Sequence, residues 1–162
     1  MDLSTFVQKL RANADDGPGT VDAWHQVEPQ AARMQALPEW LHPGLVDALQ
    51  ARGILELFSH QRECADLLHD HKHAVISTST ASGKSLAYHL PVLDALLRDG
   101  LDARALYLYP TKALARDQMA DLEKLITHVE RGLSDDARAS EQSLTVAVYD
   151  GDTPPSVRQA LR

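Results

Sequence analysis

Cysteine occurs once in 162 residues, at Cys64, so the chain can form no internal disulfide and no thiolate cluster for zinc. That excludes a disulfide-stapled secreted scaffold and points to a reducing compartment, the cytoplasm. No apolar run approaches the roughly 18 residues that span a bilayer. Met1 to Leu10 lacks the basic start and apolar stretch of a signal peptide, so no membrane partner is expected. Aromatic residues make up only 5%. A basic excess is missing as well: 16 Lys and Arg stand against 23 Asp and Glu, a net charge of −7, so any contact with nucleic acid must be local rather than a matter of bulk charge. The first 60 residues carry 4 basic and 8 acidic groups, so neither end is a charged arm. What remains, 44% hydrophobic and 24% charged, is the composition of one globular domain.

Residues 1–50 are punctuated by the turn cluster Asp15 to Gly19 and by Pro29, Pro38 and Pro43-Gly44, which allow only short helices between breakers. From Leu45 to Leu68 the pattern is helical, interrupted at Gly53, and a second helix is predicted from near Ser59, a suitable N-cap. Then the period changes. Ala74-Val75-Ile76 is a short apolar run suited to a strand buried on both faces. Leu86, Leu90, Leu93 and Leu97 form a helical stripe that Pro91 should kink or break. Ala105 to Tyr109 predicts a second strand, and Ala115, Met119, Leu122, Ile126 and Val129 a second helical stripe. A polar loop from Gly132 to Gln142 leads to a third strand, Leu144 to Tyr149, and Ser156 is placed to cap a final helix. Alternation of strand and helix from about residue 74 implies β-α-β units and a parallel sheet.

The segment Ser77 to Ser85, reading STSTASGKS, lies directly between the first strand and the Leu86 helix. Binding a polyphosphate asks for backbone N–H groups at a helix N-terminus, a glycine where the chain passes closest, a lysine for the β- and γ-phosphates and a hydroxyl for Mg²⁺. Gly83, Lys84 and Ser85 supply the last three. The strict pattern has another glycine five residues before Gly83, where this chain has Thr78.

Thr80-Ala81-Ser82-Gly83-Lys84-Ser85, followed by Leu86 to Pro91, resembles motif I of superfamily 2 helicases, in which the early glycine is often absent. Gly53 to Gln61 resembles their adenine-recognition segment, with Gln61 the matching glutamine. Tyr109 to Gln118, YPTKALARDQ, is similar to motif Ia. Tyr149-Asp150-Gly151-Asp152-Thr153-Pro154 narrows the likeness to the DNA-repair branch of DEAD/DEAH-box helicases that resembles the mitomycin repair factor. The likeness covers residues 41 to 157. It implies an α/β fold: a RecA-like P-loop NTPase lobe with a parallel sheet and flanking helices. It divides the chain into a lead-in segment, 1–44, and a partial ATP-binding lobe, 45–162, incomplete at the C-terminus. The implied activity is that of an ATP-dependent DNA helicase, using ATP and Mg²⁺ on single-stranded DNA. No Asp-Glu-x-His segment occurs, so the chain reads as a fragment unable to unwind alone. Its central strand, without neighbours on both sides, invites self-association.

The resemblance and the residues together suggest roles. Phe58, Gln61, Thr80, Ala81, Ser82, Gly83, Lys84 and Ser85 would hold the nucleotide, with Lys84 and Ser85 catalytic and Ser85 on Mg²⁺. A Gln amide gives and accepts one hydrogen bond each at the adenine edge. Phe58 suits stacking on the base or burial in the core. Thr111 and Lys112, where a strand meets a helix, together with Gly151 and Thr153, would contact DNA phosphates, although an N-cap by Thr111 and an Asp/Gly turn would look the same. His69, His71 and His73 fit a solvated loop better than a metal site, Cys64 a core position, and Trp24 and Trp40 pins for the lead-in. Two other readings stand beside the helicase: a compact P-loop kinase or ATPase using Asp150 for Mg²⁺, and a non-enzymatic remnant.

Overall fold

The structure, a computed structural model, describes residues 2–12, 25, 27, 31–79, 82–99, 103–132 and 144–161. The 15–19 turn cluster, Trp24, Pro29, Thr80, Ala81, Gly100 and the loop after Gly132 up to residue 142 lie outside them. The chain divides into two compact units, Met1–Ala32 and Arg33–Arg162. Residues 33–44 pack with the rest of the second unit: Leu41 is buried and Leu37 and Trp40 lie against the core.

The first unit contains α1 (Leu3–Ala12). Asp2 starts it by accepting the Ser4 N–H at 2.8 Å, which holds its carboxyl below the ordinary carboxylate range. Lys9 and Arg11 lie in the last turn, where the helix dipole favours cations.

The second unit opens with β1 (Met34–Ala36), paired antiparallel with β2 (Glu56–Phe58), Gln35 opposite Leu57. Between them α2 (Pro43–Ala51) has proline at its first position, where the missing N–H is no loss, and the His42 ring accepts the Gly44 N–H. It stops at Gly53, whose φ of 76° a side chain would strain. Next along the chain come α3 (Ser59–His69), α4 (Lys84–Asp99), α5 (Lys112–Gly132) and α6 (Pro155–Ala160). α3 packs on α4 and α2 on α5. Their stripes meet in one core: Leu45 and Leu49 of α2, Leu57 of β2, Leu90 and Leu93 of α4, and Leu122, Leu125, Ile126 and Val129 of α5. Asp94, 2% exposed, accepts the His42 N–H at 2.6 Å and pairs with Arg98, whose guanidinium also donates to the Trp40 carbonyl. Trp40 stacks on His69 at 4.2 Å and donates to Asp66, so it pins the segment before α2 as expected.

The helix caps and the burial of the apolar runs differ from expectation. Phe58, not Ser59, is the N-cap of α3, because the Gln61 amide reaches back to the Phe58 N–H. α4 runs unbroken through Pro91. Pro154, not Ser156, caps α6, and Pro155 occupies its first turn. The segments 74–76, 105–109 and 144–149 are not joined in a ladder among the described residues, where the β1–β2 pair is the sheet. Nor are they buried on both faces. Ile76, Tyr107, Leu144 and Val146 turn inward, whereas Val75 is 97%, Leu106 82% and Leu108 83% exposed. Helices cover one face and no strand pairs with them, so the inward and outward positions alternate.

His89 of α4 is buried, with Nδ1 3.2 Å from the Tyr107 hydroxyl and Nε2 meeting no partner among the described residues. Burial lowers its pKa from 6.5 to about 4, against a smaller opposing pull from Asp121. The unfolded chain therefore binds a proton that the folded chain refuses. Stability from this group is complete above pH 6.5 and declines as pH falls toward 4. Urea midpoints should show a loss of about 2 kcal/mol between pH 7 and pH 5 that is absent in His89→Leu. An equal loss in both proteins would contradict the assignment.

Candidate nucleotide-binding site

The residues 77–83 connect the extended 74–76 segment to α4, and Lys84 and Ser85 are the first residues of that helix. Lys84 does not extend into solvent. Its ammonium donates to the carbonyls of Thr78 at 3.0 Å and Ser79 at 2.5 Å, and reaches the hydroxyls of Thr78 and Ser82 at 3.1 and 3.2 Å. Loop oxygens thus gather round the cation as phosphate oxygens would. Ser85 Oγ donates to Gln118 Oε1 at 2.5 Å, and the Tyr88 hydroxyl approaches the same oxygen at 3.3 Å.

Gln61 joins this loop to α3. Only 5% exposed, its Oε1 accepts the Phe58 N–H at 2.9 Å and its Nε2 donates to the Gly83 carbonyl at 2.8 Å. An amide has two N–H groups and two acceptor lone pairs, so one of each remains. Gly83 has φ 70°, and a Cβ there would come within 2.6 Å of Gln61 Nε2. His60, which no sequence motif singles out, lies 2.9 Å through Nε2 from the Ser82 carbonyl. Phe58 is 38% exposed, outside the core, and its ring stacks on His60. The structure therefore gathers Phe58, Gln61, Ser82, Gly83, Lys84 and Ser85 at one end of α4. Thr80 and Ala81 lie outside the described residues.

A second group forms at the start of α5. The Thr111 hydroxyl accepts the Leu114 N–H at 3.2 Å, an N-cap bond, and Lys112 pairs with Asp152. The turn Asp150 to Thr153 is closed by its own bonds: Asp150 N–H to Thr153 Oγ1 at 2.8 Å and Asp152 N–H to Asp150 Oδ1 at 2.8 Å. Arg158 of α6 reaches back to this turn. Its guanidinium donates to the carbonyls of Thr153, Asp150 and Gly151 and lies 5.2 Å from the Tyr149 ring centroid. Lys112 is thus brought to the Gly151–Thr153 turn, uniting two of the segments expected to face nucleic acid.

Among the described residues no hydrogen bond joins Asp150 to Ser85, which is engaged by Gln118. The Asp150 carboxyl is held below the ordinary range first by the Asp152 N–H, with Lys112, Thr153 and Arg116 adding to the effect. Its oxygens serve the turn and face Arg116 at 3.9 Å. The kinase-like assignment of this carboxylate to Mg²⁺ gains no support. A separate cavity of about 420 Å³ between Leu68, His69, Pro91, Val92 and Ala103 shares no residue with the loop, and its Asp94 is already engaged.

A loop ending in Gly-Lys-Ser at the start of a sixteen-residue helix, with a glutamine amide pinned to its glycine, has the position, between an extended segment and a helix, and the Gly-Lys-Ser end of a P-loop. The DEAD/DEAH box helicase family matches residues 58–158, well over half of the chain, and the chain belongs to that family. It is 38% identical over 160 residues to the uncharacterized ATP-dependent helicase YprA of Bacillus subtilis (strain 168), covering 99% of this chain and 19% of that protein. It is 32% identical over 147 residues to the ATP-dependent helicase hrq1 of Schizosaccharomyces pombe, covering 90% of this chain and 13% of the relative. The crystal structure of the DUF1998 helicase MrfA bound to DNA and AMPPNP superposes with a TM-score of 0.79 at 35% identity, over 99% of this chain and 20% of that one. The fold is accordingly RecA-like α/β. The chain spans a fifth or less of the length of each of these proteins.

The left-handed backbone at Gly83 and the close approach of Gln61 yield a direct test. Gly83→Ala should cost about 1–2 kcal/mol from backbone handedness alone and should also displace the Gln61 amide. Urea unfolding and nucleotide titration of the variant should both worsen. Unchanged values in both would show that the loop relaxes away from Gln61 without cost.

Proposed function

We propose that these residues form the ATP-binding and nucleic-acid-contacting part of the first RecA-like lobe of an ATP-dependent DNA helicase. The observation that carries this reading is the convergence of Gln61, Gly83, Lys84 and Ser85 at the N-terminus of α4. ATP binding is then an exchange. Phosphate oxygens replace the Thr78 and Ser79 carbonyls on Lys84, while the helix dipole and first N–H groups of α4 favour the negative charge. Gln61 keeps its bonds to Phe58 and Gly83 and offers its second lone pair and second N–H to the adenine edge, which guanine mismatches. Phe58, exposed beside His60, is available to stack on the base.

Mg²⁺ fits the hydroxyl of Ser85, whose hydrogen is already given to Gln118 and whose lone pairs are left for a cation. When bound, the ion supplies charge neutralisation at the β- and γ-phosphates. Without an Asp-Glu-x-His segment in these residues, the chain alone is expected to bind ATP with little hydrolysis and no unwinding. Single-stranded DNA would lie across the start of α5, on Thr111, Lys112, Gly151 and Thr153, and would bind weakly to this part alone.

The parallel sheet belongs to the same reading, with segments 74–76, 105–109 and 144–149 as strands of a lobe these residues only partly supply. The bare apolar positions Val75, Leu106 and Leu108 support self-association of the chain in isolation. No described helix is long and apolar enough to cross a membrane. A single cysteine fits a place of action in the cytoplasm.

Calorimetric titration tests the nucleotide site. ATP should bind more tightly than GTP, Gln61→Ala should erase that preference, and Lys84→Ala should weaken both. Equal affinity for ATP and GTP in the unaltered chain would reject the role of Gln61. For DNA, Asp152→Asn frees Lys112 from its carboxylate partner. Affinity for single-stranded oligonucleotides should rise several-fold at low salt, and the gain should shrink as salt is added. A fall in affinity would place the strand elsewhere.

A further inference from the structure

Gln118 lies on α5, six residues after Lys112, yet its side chain reaches α4. Its Oε1 collects two hydroxyl donors, Ser85 Oγ at 2.5 Å and Tyr88 at 3.3 Å, and its Nε2 leans toward Asp117 Oδ2 at 3.5 Å. A serine hydroxyl has one hydrogen and two lone pairs. If the hydrogen pointed toward a cation, the lone pairs would point away and ligation would fail. The amide oxygen fixes that hydrogen on the α5 side. Asp117 in turn favours the amide with its oxygen toward Ser85, since a flipped amide would turn its oxygen instead of its N–H group toward the Asp117 carboxylate.

We propose that Gln118 is a positioning residue for Mg²⁺: by accepting the Ser85 hydrogen it aims the hydroxyl lone pairs at the cation that accompanies ATP. The proposal rests on the assignment of the Gly83–Ser85 loop to ATP and adds to it a residue that touches neither nucleotide nor metal. Partners behind a metal ligand typically matter by 10–100-fold in metal affinity, and the effect here must appear as dependence on the ion. A purely structural tie between α4 and α5 would weaken ATP binding equally with and without it.

The test is ATP titration of the unaltered chain, Gln118→Ala, Gln118→Glu, Ser85→Ala and the Ser85→Ala/Gln118→Ala pair, each in excess Mg²⁺ and in excess EDTA. The unaltered chain should bind ATP more tightly with Mg²⁺. Gln118→Ala should lose most of that ratio, by 10–100-fold where the ratio allows, with affinity in EDTA unchanged. Gln118→Glu, which still accepts the hydroxyl hydrogen, should keep the ratio and serves as well if the alanine variant misfolds. Adding Gln118→Ala to Ser85→Ala should change nothing more, because the two act through one bond. An unchanged Mg²⁺ ratio in Gln118→Ala, or an equal loss in both solutions, would overturn the proposal alone. Absence of ATP binding by the unaltered chain in either solution would overturn the nucleotide assignment and the proposal with it.

Discussion

The bond between the Gln61 amide and the Gly83 carbonyl, backed by the Phe58 N–H on the same side chain, is the constraint on which the site depends. It ties the start of α3 to the start of α4 across 22 residues of sequence, and it does so at a glycine with left-handed backbone. A buried amide left without partners would cost about 1–3 kcal/mol, so the loop and the helix cap hold each other in place. The Ser82 carbonyl, met by His60, extends the same seam by one residue. Lys84 then folds onto the loop that Gln61 has fixed, and its position comes from the seam rather than from the helix alone.

α5 brings two ends together. Its first turns present Lys112 and Arg116 to the Asp150–Thr153 turn, and Gln118 farther along meets Ser85. The apolar side of the same helix, Leu122, Leu125, Ile126 and Val129, is sunk in the core against α2. The polar contacts at its N-terminal half are therefore made by a helix whose other half is fixed by packing, which is the rigid support that a positioned side chain needs.

Much of the fold is legible along the chain. α4 and α5 follow from leucine and isoleucine stripes at helical spacing, and the loop from Gly83-Lys84-Ser85 directly after an apolar run. The sequence could not reveal β1, because Met34–Ala36 is exposed throughout and owes its extended form to pairing with β2 some twenty residues later. The N-cap of α3 falls one residue earlier than expected for a related reason: Gln61, suited by its chemistry to a base, also serves the backbone of Phe58. His60 and Gln118 lie inside the segments likened to the adenine-recognition segment and motif Ia, yet their roles are not legible there, since these lie in the partners that folding delivers. Ala74–Ile76 shows the opposite limit. Its run of apolar residues predicts burial on both faces, but burial needs neighbours, and Val75 is left at the surface.

Gln61 is a clamp already closed on the loop before any nucleotide arrives. Hydrogen exchange of glutamine side-chain amides, followed by nuclear magnetic resonance on the nucleotide-free chain, tests it most directly. A closed clamp means slow exchange for the Gln61 Nε2 hydrogen bonded to Gly83, against fast exchange for the exposed Gln50. Equal, fast exchange at both residues would mean that the amide is open to water and that the clamp does not exist.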